Sequence, residues 1–127
     1  TTSAGTQGIV NARNADEILI GSFANASALN EYIHCKKPKI VTLVAMGFES
    51  SEKAEEDELC AYYLKELLSG NNPDINEIKE KIILSKGALR LKKLGREDDL
   101  RFALRLNVYP MLPIYDAAKA EIKSYIT

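Results

Sequence analysis

Apolar residues recur along the chain with two periods, and the alternation between them sets out the elements. Residues 16–22 (DEILIGS) form a short apolar run bounded by Gly21, which predicts a buried strand. Phe23, Ala26, Leu29 and Ile33 then recur at three and four residues, the spacing of one helix face, with Ser22 or Asn25 available as N-cap. Pro38 blocks continuation of that helix. Residues 39–47 (KIVTLVAMG) are nearly continuous in apolar character and predict a strand covered on both faces. A short helix over residues 9–13 precedes these elements.

A polar loop over 47–53 leads to a helix predicted over 54–69 and closed by Gly70. Its inner face is Leu59, Cys60, Tyr63, Leu64, Leu67 and Leu68. Asn71, Asn72 and Pro73 make a turn. Asp74, with Glu77 three residues on, reads as a capping box opening a helix whose apolar side is Ile75, Ile78, Ile82 and Ile83. A basic, leucine-containing segment (86–96) and a short helix over 98–106 follow. Pro110 and Pro113 suggest an extended edge segment over 108–115. Residues 117–126 fit helix and strand equally.

Strand, helix, strand, helix in this order predicts an α/β fold. The expectation is a layered α/β/α domain over residues 1–127, with a mostly parallel sheet and right-handed crossovers. Ligands in such sheets sit beyond the carboxyl ends of strands. Loops 3–7, 21–25 and 47–57 would gather at that edge.

Composition narrows the function classes. The chain has 127 residues, 46% hydrophobic and 28% charged, with a formal net charge of -1. That suits one soluble domain and gives no support to nucleic-acid or membrane-surface binding. Two cysteines make no disulfide framework, so a cytoplasmic setting is expected. The chain opens on Thr inside what reads as a site loop without the strand such a loop follows. That suggests the C-terminal part of a longer protein.

Two clusters carry candidate chemistry. The opening stretch, Thr1 to Gly8, holds five hydroxyl or amide side chains and two glycines ahead of a helix. Backbone N–H groups at a helix start, with glycines permitting close approach, suit an anion such as phosphate; the same composition also serves a plain polar turn. Glu55, Glu56, Asp57 and Glu58 open the long helix. Glu56 falls on its inward face and Asp57 at the border, so an inner carboxylate there suits Mg²⁺, which prefers oxygen ligands. The same acids also complement the helix dipole without any ligand. His34, Cys60 and the basic residues between Lys86 and Arg96 read better as a helix-terminal residue, an inert core thiol and a solvated face.

Four blocks add a resemblance. They are Thr2-Ser3-Ala4-Gly5-Thr6-Gln7-Gly8, Gly21-Ser22-Phe23-Ala24-Asn25-Ala26, Val41-Thr42-Leu43-Val44-Ala45-Met46-Gly47 and Glu56-Asp57-Glu58-Leu59-Cys60-Ala61. In order and spacing they resemble the C-terminal half of the 2-phosphosulfolactate phosphatase family. The resemblance implies a Mg²⁺-dependent phosphatase that converts 2-phosphosulfolactate to sulfolactate and phosphate, a step toward coenzyme M in methanogens. It implies Ser3, Gly5 and Thr6 as the anion loop, Asn25 as a polar contact in the second loop, and Glu56 with Asp57 as metal-associated catalytic acids. Family chains are about twice this length, so the implied partners are a small phosphorylated acid and a missing N-terminal half or second subunit, with a homo-oligomer open. Where family loops carry Asn before the first Gly, this chain has Ala4. Two other readings remain beside the enzyme: a non-catalytic anion-binding module, and a structural half that completes a site supplied by another segment.

Overall fold

The structure is a computed structural model that describes residues 4–46, 55–116 and 118–126. In chain order its elements are α1 (Ala4–Asn11), β1 (Ile18–Leu19), α2 (Ala26–Lys36), α3 (Glu55–Leu68), α4 (Ile75–Ile83), α5 (Lys86–Lys93), α6 (Glu97–Ala103), β2 (Met111–Asp116) and β3 (Glu121–Ile126). The fold is mixed α/β.

Helix boundaries follow local chemistry. Asn25 opens α2, and Lys37, at φ 51, ends it by donating its N–H to Ile33 O at 2.9 Å just before Pro38. Helix α3 closes on Gly70 (φ 85), with Asn71 N–H bonded to Glu66 O at 2.9 Å and Gly70 N–H to Leu67 O at 3.1 Å. Those two bonds are the Schellman pair. Gly95 (φ 71) repeats the device after α5, where Arg96 N–H reaches Leu91 O at 2.8 Å. Asp74 caps α4 by accepting from Asn76 N–H at 2.9 Å. Glu77 does not return to complete the box; it faces Lys81 at 3.7 Å. Buried Ser85 caps α5 through Ala88 N–H.

The core gathers Phe23, Leu29 and Tyr32 from the α2 region, Tyr63 and Leu64 from α3, Ile78 and Ile82 from α4, and Leu112 from β2. Phe23 and Tyr63 rings sit 5.7 Å apart between centroids. The faces predicted for α2 and α3 are therefore the faces that pack, and on α4 Ile75, Ile78 and Ile82 pack while Ile83 is exposed.

The sheet differs from the parallel arrangement expected. It has three strands in the order β1-β2-β3, and both ladders are antiparallel. The expected parallel neighbour of β1, residues 40–46, forms no ladder among the described residues; β1 pairs instead with the C-terminal hairpin. The 108–115 segment is also not an edge, because β2 is the central strand. Pro113 is tolerated there because β1 is only two residues long and its ladder ends at Leu19↔Ile114. Beyond that point β2 only has to accept, and Pro113 O takes the Ile20 N–H at 3.0 Å. The ambiguous 117–126 segment becomes β3, joined by a turn in which Asp116 accepts from Ala118 and Lys119 N–H groups.

Candidate functional site

The opening stretch is more helical than its composition suggests. Helix α1 starts at Ala4, so Gly5 and Thr6 stand in its first turn, where backbone N–H groups lack intrahelical acceptors. Ser3 lies outside the described residues, as does the loop over 47–54. Gly8, one turn further on, is a point of close approach. A Cβ there would stand 2.6 Å from Met46 Cε, so glycine lets the Met46 side chain lie against α1 where a larger residue would make it shift. This contact brings α1 beside the end of the 40–46 segment that leads into α3.

The second loop is tied down by the residue expected to contact ligand. Asn25 is buried, and its Oδ1 accepts from Ser22 N–H at 2.9 Å and from the Ser22 hydroxyl at 3.3 Å. Its Nδ2 donates to Ile20 O at 3.0 Å. Asn25 thus holds the loop to the end of β1. Gly21, in the same loop, packs where a Cβ would stand 2.7 Å from Leu29 Cδ1 and 3.2 Å from Leu64 Cδ1, against α2 and α3 together.

The loop meets α3 at Cys60, in its second turn. Burial pushes this thiol up to about 11, the Asp57 carboxylate pushes the same way, and the Phe23 backbone N–H at the sulfur opposes them. Asp57, from the same helix, and Phe23, from the second loop, thus both act on Cys60.

The two acids separate. A Cβ on Gly87 would stand 2.6 Å from Glu56 Oε1 and 2.9 Å from Oε2, so the Glu56 carboxylate lies on the first turn of α5, where a helix N-terminus favours negative charge. Asp57 acts on Cys60 instead. Adjacent helical residues point about 100° apart. Among the described residues no group of three or more His, Cys, Asp or Glu side chains is arranged to hold a metal. Mg²⁺ needs only one or two carboxylates when phosphate and water supply the rest.

Sequence reasoning missed Asn107. Its Oδ1 accepts the Ser27 N–H at 2.8 Å, and its own N–H donates to Phe23 O at 2.9 Å. Tyr109 N–H adds a bond to Ala24 O at 2.9 Å, so a remote segment braces the second loop. The isolated Asn, at φ 55, was a signal for a left-handed turn but not for its partner. A groove of about 410 Å³, lined by Ile33, His34, Lys37, Val41, Lys65 and Leu68 among others, was also unforeseen. It lies at the C-terminal ends of α2 and α3, away from Asn25 and Asp57.

The structure is that of a small mixed α/β protein, with a braced loop packed against a helix that starts in acids. The chain belongs to the 2-phosphosulpholactate phosphatase family, whose sequence model matches residues 1–118. A probable 2-phosphosulfolactate phosphatase of Caldicellulosiruptor saccharolyticus is 33% identical over 126 residues, covering 83% of this chain and 52% of the relative. Proteins of the same description from Symbiobacterium thermophilum and a Nostoc species are 24% and 27% identical, over 91% and 93% of this chain and 56% of each relative. The chain thus spans about half the length of the curated relatives it matches. No helix among the described residues is long and apolar enough to cross a membrane.

Proposed function

We propose that this chain, joined to the other half of the family's length, hydrolyses a phosphate monoester, with 2-phosphosulfolactate as substrate and sulfolactate and inorganic phosphate as products. Family membership across residues 1–118 carries the reading. In this hydrolysis water adds to phosphorus, the bond from phosphorus to the ester oxygen breaks, and that oxygen leaves carrying a proton from the water.

The first turn of α1, with Ser3, Gly5 and Thr6, holds the phosphate oxygens through N–H and hydroxyl groups, the usual means of placing a transferring phosphoryl group. Asn25 serves by fixing the second loop. We assign Asp57 to hold Mg²⁺, which when bound supplies charge neutralisation at the phosphoryl oxygens; Glu56 stands behind it on α5. The layered sheet with parallel pairing belongs to the completed molecule, with residues 40–46 as one of its strands. Two free cysteines accord with a cytoplasmic setting.

The test is phosphate release from 2-phosphosulfolactate by the chain joined to the missing half, with Mg²⁺ and with a chelator. Release that depends on Mg²⁺ is expected. Tight phosphate or sulfonate binding without turnover would point to an anion-binding module instead. Turnover indifferent to Asp57→Asn and to Thr6→Ala would make this chain a structural half.

A further inference from the structure

Residues 40–46 carry the most apolar run in the chain, yet much of it faces outward. Ile40 is 83% exposed and Val44 66%. Among the described residues, no backbone hydrogen bond joins this segment to any other. One side of it is anchored. Val41 and Leu43, two residues apart as on one face of a strand, line the groove against α2 and α3, and Met46 rests on Gly8. Helix α2 also carries a buried polar atom without a partner among the described residues. Asn30, one turn before Ile33 and His34 on α2, keeps a buried Oδ1 with no hydrogen-bond partner among the described residues.

The path of the chain fits a strand position. Phe23, just ahead of α2, meets the middle of α3 at Cys60 and Tyr63, and the C-terminal ends of both helices share the groove, so the two helices run the same way. Residues 40–46 return between them, as the strand of a crossover does. Such a row of unpaired N–H and C=O groups with exposed apolar side chains is a template for another strand.

We infer that residues 40–46 are a sheet seam, onto which the half of the family chain not spanned here adds a strand by backbone pairing. The occupant follows from length: this chain covers only 52–56% of its relatives, so a comparable stretch of polypeptide has to be accommodated. The inference rests on family membership and is independent of the phosphatase reading.

The test mixes this chain with the unspanned half of the Caldicellulosiruptor relative and follows sedimentation and amide hydrogen exchange. A one-to-one complex is expected, with the 40–46 amides exchanging about a hundredfold more slowly than in the chain alone. Val44→Lys should weaken the complex about tenfold or more; its side chain is exposed, so the melting of the lone chain should not change. Three results overturn the inference: no association, a complex in which these amides still exchange freely, or protection produced by a second copy of this chain alone. A protected but inactive complex would count against the proposed activity and leave the seam standing.

Discussion

The side-chain oxygen of Asn107 accepts the backbone N–H of Ser27 at 2.8 Å, closing the N-terminus of α2 from 80 positions away. An exposed helix start usually takes its cap from its own N-cap residue, but here Asn25 makes no cap bond because its side chain is spent on Ser22 and Ile20. Removing the remote cap should cost about 1–2 kcal/mol. Asn107→Ala also places a Cβ without a compensating bond at φ 55, whereas Asn107→Gly keeps the left-handed backbone and loses the cap alone. Urea unfolding should rank the wild type above Gly and Gly above Ala. An Ala variant as stable as the wild type would dismiss the cap.

Asn25 is buried with three hydrogen bonds, so its loss leaves the Ser22 N–H and the Ile20 carbonyl short of partners. Asn25→Ala should lower stability by about 2–3 kcal/mol. Its clearest local readout is amide exchange at Ser22, which should speed up well before global unfolding. Unchanged exchange there would mean that the loop is held by Asn107 and Gly21 and that the Asn25 bonds are redundant.

How much of this was readable in advance depends on whether a residue's partner is local. Gly70 and Asp74 mark the ends of α3 and α4 because their hydrogen bonds close within a few residues. The apolar faces of α2 and α3 follow for the same reason. Asn107 and Glu56 find partners 80 and 31 positions away, and no window of sequence contains both ends. Residues 40–46 show a third case: their pattern is that of a sheet strand, and they remain unpaired among the described residues. That Glu56 lies against the first turn of α5 shows only through Gly87.

The two thiols should react very differently. Cys35 is exposed, whereas burial and Asp57 raise Cys60 to about 11. At pH 8 a thiol reagent should label Cys35 rapidly and Cys60 only as fast as the structure opens. Because the folded value is raised, the neutral thiol is the form the fold favours. Its contribution is whole below the ordinary thiol range of about 8.5–9 and is lost as pH rises toward about 11. Cys60→Ala should flatten that alkaline decline; equal labelling of both cysteines would dispose of the account.

The β2–β3 hairpin should show the opposite limb. Lys123 Nζ lies 3.0 Å from Asp116 Oδ2, and hydrogen bonding from Lys123 holds the Asp116 carboxyl below its usual value. A lowered carboxylate stabilises above its unfolded value, and that contribution disappears as pH falls through the folded one. Hairpin amides should therefore lose protection below about pH 4, and Asp116→Asn should remove the pH dependence. In the same turn Ala120 sits at φ 52, where a Cβ costs about 1 kcal/mol. Ala120→Gly should raise or at least preserve the melting temperature, although glycine introduced inside a strand at negative φ lowers it.

The last prediction separates the two acids. Glu56 rests on Gly87 and Asp57 faces Cys60 beside the Asn25 loop. If Asp57 is the metal-holding carboxylate, Asp57→Asn in the completed enzyme should reduce phosphate release by about a hundredfold or more, in the range seen when one electrostatic group at a transition state is removed. Glu56→Gln should instead change the rate only a few fold and weaken α5, by about 0.3–1 kcal/mol for a lost charge at a helix start. Gly87→Ala gives the independent check. The new methyl displaces a carboxylate at the end of a flexible side chain, which is cheap, and alanine favours the helix by about 1 kcal/mol. That variant should be at least as stable as the parent and keep its activity. A stable Gly87→Ala protein with phosphate release reduced as far as in Asp57→Asn would return Glu56 to the catalytic centre and require the two carboxylates to act together.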